Sequence, residues 1–121
     1  MPRIRVLRFE KELLKIISST LEVKMRDKYL EFVAITAVKL SNDLSHAKIY
    51  YTHLDQHPRA RVQETLEKAS GQLKNEIART KLMRRIPELT FIFDELEEKA
   101  RKIDQLFNLI KTDSSGSEST S

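Results

Sequence analysis

Basic side chains provide most of the chemistry that this sequence can perform. The chain has 22 lysine and arginine residues and 18 acidic ones, and they are unevenly distributed. Residues 1–85 hold 18 basic and 10 acidic side chains, a net charge of +8, whereas residues 86–121 hold 4 and 8, a net charge of −4. A basic region of this kind suits a polyanion such as a nucleic acid, although a solvated charged surface has the same composition.

Phosphate groups are the ligands that these cations would bind. The candidates come from the N-terminal segment and from the second half of the basic region: Arg3, Arg5, Arg8, Lys15, Lys68, Lys74, Arg79, Lys81, Arg84 and Arg85. Helical spacing in this second half is kept by Val62, Leu66, Ala69, Leu73, Ile77 and Thr80. If this helical pattern winds continuously, Lys74, Lys81 and Arg85 share one face of it. We therefore predict that this face contacts the phosphates.

Gly71 lies in the middle of that helical pattern. Glycine inside a helix costs roughly 0.5–1 kcal/mol relative to alanine. We therefore predict two short helices, or one kinked helix, pivoting at Ala69-Ser70-Gly71. A helix N-terminus after such a break would offer the backbone N–H groups of Ser70 and Gly71 to a phosphate. A kink that serves only helix packing is the alternative interpretation.

Motifs for catalysis or metal binding are not found in the sequence. It has no phosphate loop, no GxSxG and no HExxH, and it has no cysteine. His46, His53 and His57 lack the i,i+4 helical pairing of a metal site. A nuclease is the enzymatic alternative, but two-metal hydrolysis needs clustered carboxylates. We expect no enzymatic activity, no metal, no cofactor and no small-molecule substrate.

Helical and strand patterns alternate along the chain. Apolar residues recur every three or four positions over residues 4–25 and again over residues 95–111. Residues 32–40 and 46–53 predict an antiparallel hairpin whose first strand is apolar on both faces and therefore well buried, and residues 89–93 predict a third strand. The predicted order is α-β-β-α-α-β plus a C-terminal helix, an α+β domain with a three-stranded sheet packed by helices.

Aromatic residues in the predicted strands could stack on bases only if they were exposed on a common sheet face. Tyr50 and Tyr51 point to opposite faces of one strand, so at least one of them could be partly exposed. Phe91 and Phe93 share a face and are most simply explained as core residues.

The composition indicates one domain, residues 1–111, followed by a polar tail. Residues 112–121 contain no apolar side chain, and we predict that they are disordered. No apolar run approaches the roughly 18 residues of a membrane span, and the first residues lack the apolar core of a signal peptide. We expect a monomeric cytoplasmic protein with no membrane partner.

Several short segments match one known family in their order and spacing. They are Ile35-Thr36-Ala37-Val38, Ser41-Asn42-Asp43-Leu44-Ser45-His46-Ala47-Lys48-Ile49-Tyr50, Lys68-Ala69-Ser70-Gly71, Pro87-Glu88-Leu89-Thr90-Phe91, Asp94 and Ile103-Asp104-Gln105-Leu106. Together they resemble the bacterial ribosome-binding factor A family, from about Arg5 to Ile110.

The resemblance implies both a fold and a function. It implies a type II KH-like domain in which an Ala-x-Gly kink, here residues 69–71, stands in place of the GxxG loop that clamps the nucleic-acid backbone. It also implies an assembly factor that binds the immature small (30S) ribosomal subunit and assists 16S rRNA processing and maturation. Such a factor leaves before translation and is associated with growth in the cold.

Two functional classes therefore remain for the basic surface. The first is an RNA-binding maturation factor whose partner is 16S rRNA within free 30S subunits. The second is a basic protein-interaction domain that docks on an acidic protein partner without direct RNA contact.

Overall fold

The computed structural model describes the backbone of residues 2–53 and 56–119 and the side chains of residues 4–53 and 56–109. Its elements in chain order are α1 (Pro2–Val23), β1 (Ala34–Leu40), β2 (His46–Thr52), α2 (Arg59–Arg79), β3 (Glu88–Phe93) and α3 (Glu95–Ser119). The predicted α+β class with a three-stranded sheet is confirmed. The described part of the chain has three helices, one fewer than predicted.

The sheet has the strand order β1-β2-β3. β1 pairs with β2 in the predicted antiparallel hairpin, and β3 pairs parallel to β2, with Phe91 opposite Ile49. Parallel neighbours need a crossover, and α2 provides it. β1 is an edge strand with exposed Ala34 and Lys39, so the prediction that it is well buried is wrong. Its apolar composition does not reveal that it lies at the edge of the sheet.

The core lies between one face of the sheet and the helices α1 and α2. Elements α1, β2 and α2 all contribute fully buried side chains: Leu13, Ile17, Ile49, Tyr51, Val62, Leu66, Leu73 and Ile77. Hydrogen bonds attach the helices to the sheet. The Gln63 amide donates to the carbonyl of Phe91 at 2.9 Å, and the N–H of Leu40 donates to Glu10 Oε2 at 2.7 Å. These contacts fix the surfaces that α1 and α2 present to solvent.

Helix α2 runs without interruption from Arg59 to Arg79. The prediction of two short helices that meet at Ala69-Ser70-Gly71 is therefore wrong, while the alternative of one kinked helix stays a prediction. The N–H groups of Ser70 and Gly71 lie inside a helix. Gly71 does not have a positive φ. The physical reason is that Leu66 and Leu73, on either side of the glycine, are both fully buried on one continuous stripe. Their burial outweighs the roughly 1 kcal/mol that a helical glycine costs.

Helix α3 is longer than the sequence predicts. It continues to Ser119, through most of the segment predicted to be disordered. Three side chains of its apolar stripe, Leu96, Ile103 and Phe107, are exposed. The helices α1 and α2 already cover the core face of the sheet. The division into a domain and a separate tail stays a prediction.

Candidate nucleic-acid interface

Three of the predicted arginines meet at one hollow in the surface. Arg5 comes from the start of α1, and Arg84 and Arg85 come from the connection between α2 and β3. They line a cavity of about 290 Å³ together with Phe9 and Met83. All three arginines are exposed, and the Arg5 guanidinium carbon lies 5.5 Å from the centre of the Phe9 ring. We call this surface the arginine hollow.

The end of α2 determines where Arg84 and Arg85 lie. Thr80 caps the helix, and Lys81 turns the chain with a φ of 56°, which few residues other than glycine adopt. Met83 is then buried, so the arginines that follow it remain at the surface. Because the helix ends before residue 81, Lys74, Lys81 and Arg85 do not share a helical face, and that prediction is wrong.

An acidic side chain also lines the arginine hollow, but it is already engaged. Asp43 accepts hydrogen bonds from the hydroxyl groups of Ser45 and Ser41, both at 2.7 Å. These bonds, that of Ser45 first, hold the pKa of the Asp43 carboxyl far below its usual range. The carboxylate is thereby kept in the turn and does not pair with the arginines, which stay available for an anion.

The remaining cations of α1 are spread along the outer face of the helix. Arg8 and Lys15 are both exposed. Lys15 lies 4.0 Å from Glu12, with three quarters of its side chain in solvent, so this ion pair contributes little and leaves the lysine available. The side chain of Arg3 lies outside the described residues.

The cations of α2 are paired to different degrees. Lys68 contacts Glu64 at 3.0 Å. This ion pair is exposed and therefore weak, so a phosphate could take the place of Glu64 as the partner of Lys68. Arg79 lies 3.6 Å from Glu76, which also accepts a hydrogen bond from Lys24. That bond from Lys24 lowers the pKa of Glu76. The triad ties the end of α1 to α2.

Lys74 is less available than the other predicted contacts. Its ammonium lies 2.9 Å from Glu88, and only 30% of its side chain is exposed. Lys81, by contrast, is exposed on the turn after α2.

A second basic surface was missed by the sequence analysis. The connection between α1 and β1 faces α2 across a cleft of about 770 Å³, lined by Arg26, Lys28, Tyr29, Arg61 and Lys68 among others. We call this surface the tyrosine cleft. Of its cations, only Lys68 was predicted to bind RNA. The sequence shows the charges, but the segments lie more than 30 residues apart, so only the fold brings them together.

The small residues of α2 lie beside this cleft. Ala69 is part of its lining, and Gly71 is exposed. Apart from its chain neighbours and the backbone of its own helix, a Cβ built on Gly71 would meet no atom within 4 Å. This stretch of helix therefore presents bare backbone, which a bulky ligand could approach closely.

The described side chains contain no group of three histidine or acidic residues that could hold a metal ion. None of the helices, over the residues that could be searched, is long and apolar enough to cross a membrane.

Comparison with known proteins identifies the family. The family model for ribosome-binding factor A matches residues 5–107. The chain belongs to the ribosome-binding factor A family. Ribosome-binding factor A of Streptococcus mutans is 41% identical over 104 residues, which cover 84% of this chain and 90% of the relative. The family name describes binding to the ribosome and does not describe catalysis.

Solved structures agree with this assignment. The crystal structure of ribosome-binding factor A from Thermus thermophilus superposes with a TM-score of 0.66 at 25% identity, over 72% of this chain and 93% of that one. A homology model of the Thermus thermophilus factor, fitted into a cryo-EM map of its complex with the 30S subunit, gives a TM-score of 0.59 at 27% identity, over 69% and 89%. The expected KH-like fold is confirmed.

Proposed function

We propose that this protein binds the immature small (30S) ribosomal subunit and assists 16S rRNA processing and maturation without catalysing a reaction. The observation that supports it most is family membership, together with a relative from Thermus thermophilus that has been fitted into a 30S complex. The two basic surfaces of this chain fit such a partner. The protein would act as a cytoplasmic monomer, with no cofactor, and be associated with growth in the cold.

The arginine hollow is the main phosphate-binding surface in this proposal. Among the side chains that the structure describes, Arg5, Arg84 and Arg85 form no ion pair within 4.0 Å. A guanidinium presents donors in a planar fork that matches two phosphate oxygens. Three unpaired forks around one hollow therefore provide the groups that hold an RNA backbone. Phosphate contacts position a protein on RNA without reading its sequence.

The other cations would extend this surface. Arg8 and Lys15 on α1, and Lys68, Arg79 and Lys81 at or near α2, are all exposed and could follow a second stretch of backbone. The small residues Ser70 and Gly71 would let the RNA backbone approach α2 closely. Their N–H groups lie inside the helix and are not free to bind a phosphate. Arg3 remains a candidate by charge alone, and Lys74 would contribute least.

Binding energy would perform the work of maturation. A factor that binds one arrangement of an rRNA helix more tightly than another shifts the folding equilibrium by the difference between the two binding free energies. No covalent step is required. The protein would leave when the mature arrangement no longer presents the phosphates that it binds.

Sedimentation of the tagged protein in cell extract tests this function. We expect the protein to migrate with free 30S subunits and not with translating ribosomes. Arg85→Glu should reduce the bound fraction, whereas Lys99→Glu, an equal charge change at an exposed position of α3, should not. Retention of the protein on an acidic protein after nuclease treatment, with no 30S association before it, would support the protein-interaction alternative instead.

A further inference from the structure

The ring of Tyr29 is held in place at the tyrosine cleft. The backbone N–H of Tyr29 donates to Asp27 Oδ1 at 2.9 Å, which fixes the turn. Met25 and Leu30, on either side of Tyr29, are buried in the core and anchor the segment at both ends. His57 meets the ring edge to face, with 5.5 Å between the ring centres. Tyr29 itself is only half-buried, so a rigidly positioned aromatic ring lines the cleft.

Two cations lie over this ring. The Lys28 ammonium is 5.1 Å and the Arg61 guanidinium carbon is 5.9 Å from the ring centre. Both side chains are exposed, and neither forms an ion pair within the described part of the chain. A cation over a ring at an exposed site gains only about 0.5–1 kcal/mol. The two side chains can therefore leave the ring when a better partner arrives.

We propose that the tyrosine cleft binds one unpaired nucleotide of RNA, with its base stacked on Tyr29 and its phosphates held by Lys28 and Arg61. The proposal rests on the proposed function only in taking the nucleotide to belong to ribosomal RNA. Proteins that bind single-stranded nucleic acid combine positively charged side chains along the backbone with aromatic rings on which bases stack.

The free and bound states use the same groups in different ways. Without RNA, the cations lie over the ring. When a base stacks on the ring, Lys28 and Arg61 move to the flanking phosphates, where a full negative charge replaces the weak field of the ring. Arg26 and Lys68 also line the cleft and could bind the adjoining phosphates. The volume of about 770 Å³ lies within the roughly 300–1,000 Å³ of ligand pockets.

The geometry favours an unpaired nucleotide over duplex RNA. Bases inside a duplex are stacked on one another, so their faces are closed to Tyr29, and the major groove of an RNA helix is too narrow for side chains to read. A single-stranded loop, bulge or end can turn one base outward into the cleft.

The test uses the full chain and two synthetic ligands, six-nucleotide oligoadenylate and a six-unit abasic ribose-phosphate chain. Oligoadenylate should bind wild type and Tyr29→Phe with affinities within about twofold, whereas Tyr29→Ala should reduce affinity by roughly 5- to 100-fold, as expected when one base no longer stacks. The abasic chain should bind wild type and Tyr29→Ala equally. Lys28→Gln and Arg61→Gln should each lower the slope of log affinity against log salt by about 0.7, while Tyr29→Ala should not change it.

A second measurement does not depend on a variant that stays folded. In NMR titrations of wild type, oligoadenylate should shift the ring signals of Tyr29, identified by their absence in Tyr29→Phe, and leave those of Tyr50 unchanged. Unchanged Tyr29 signals, or equal oligoadenylate affinity in wild type and a folded Tyr29→Ala, would overturn the nucleotide site. The proposed function is tested separately, because 30S sedimentation of wild type would persist even if the cleft bound no nucleotide.

Discussion

The ammonium of Lys74 lies 2.9 Å from the carboxylate of Glu88, joining α2 to the first residue of β3. The hydrogen bond from Lys74 lowers the pKa of Glu88. A lysine expected from charge alone to contact RNA is therefore engaged within the protein. Its contribution to RNA binding should be smaller than that of an unpaired arginine.

The first prediction compares Lys74 with Arg85. Lys74→Gln should reduce affinity for 30S subunits less than Arg85→Gln does, because Lys74 is paired with Glu88, whereas Arg85 is exposed and forms no ion pair with the described residues. The same Lys74→Gln change should raise the pKa of Glu88 toward its ordinary value of about 4.3. Subunit titrations measure the first effect, and carboxyl carbon NMR against pH measures the second. A greater loss of affinity from Lys74→Gln would show that RNA displaces Glu88 from the lysine.

The second prediction concerns Gly71. Because α2 is continuous and a Cβ at Gly71 meets no atom within 4 Å apart from its chain neighbours and the backbone of its own helix, Gly71→Ala should stabilise the fold by about 0.5–1 kcal/mol. Urea unfolding measures the change. Gln72→Ala, one residue further along the same helix, should alter stability by only a few tenths of a kcal/mol. Destabilisation by Gly71→Ala would mean that the helix does break at residues 69–71 in solution.

The third prediction concerns Asp94, the residue before α3. Its carboxylate accepts hydrogen bonds from the N–H of Glu97 at 2.9 Å and from the Thr36 hydroxyl at 2.5 Å. These bonds, that of Thr36 first, lower the pKa of Asp94. Asp94→Ala should cost about 1 kcal/mol at pH 7, the usual effect of removing an N-cap. Urea unfolding checks it, with Asp104→Ala as the control that removes an exposed carboxylate of α3 without a cap.

The pH dependence of that difference follows from the direction of the shift. A carboxyl whose pKa is lowered in the folded state contributes its stability above its unfolded pKa, about 3.9 for aspartate, and loses it as the pH falls through the folded-state value. The difference in the free energy of unfolding between wild type and Asp94→Ala should therefore be constant from pH 7 to 5 and become smaller below about pH 4. A gap that stays constant at pH 2.5 would contradict the charged cap.

The fourth prediction concerns the exposed stripe of α3. Phe107 has 66% of its surface in solvent, so Phe107→Ser should change the free energy of unfolding by no more than about 0.5 kcal/mol. Leu66→Ala, in the core, should cost about 2–5 kcal/mol. Thermal unfolding of the two variants provides the comparison. A cost for Phe107→Ser that approached that of Leu66→Ala would show that α3 packs on the domain in solution.

Much of the fold could be predicted because its segments have strong periodic patterns. The central strand was placed to within one residue, since Ile49 and Tyr51 alternate with polar neighbours. The division of α2 into two helices was predicted wrongly because a single glycine penalty is small beside the burial of Leu66 and Leu73, and burial depends on tertiary packing. The stripe of α3 predicted an amphipathic helix correctly, but a stripe does not reveal whether anything covers it.

The candidate site could be predicted only in part. Charge alone identified Arg5, Arg84 and Arg85, but their meeting in one hollow depends on how the turn after α2 reaches the start of α1. The platform at Tyr29 has no local signal, because its partner Arg61 lies 32 positions further along the chain. The predicted common face of Lys74, Lys81 and Arg85 was wrong because α2 ends at Arg79, before two of these residues.

The fifth prediction concerns the arginine hollow. The triple variant Arg5→Gln/Arg84→Gln/Arg85→Gln should remain folded, since all three side chains are exposed. Removing one arginine–phosphate interaction should reduce the slope of log affinity against log salt by roughly 0.7–0.9, because fewer counterions are released from the RNA. Removing all three should flatten the slope by about 2–3 units. Binding to immature 30S subunits across a salt series, with circular dichroism to verify folding, measures it.

The matched control removes three positive charges from positions outside both basic surfaces. Lys39, Lys48 and Lys99 are exposed and line neither the arginine hollow nor the tyrosine cleft. Their triple glutamine variant lowers the net charge equally, so long-range attraction falls by a similar amount while the proposed phosphate-binding arginines remain. Its salt slope should stay close to that of wild type. Equal flattening in both variants would mean that net charge, and not the arginine hollow, determines RNA affinity. If the salt slope of the arginine variant is the same as that of wild type, the arginine hollow does not bind the phosphates, and α1 and the tyrosine cleft become the candidate surfaces.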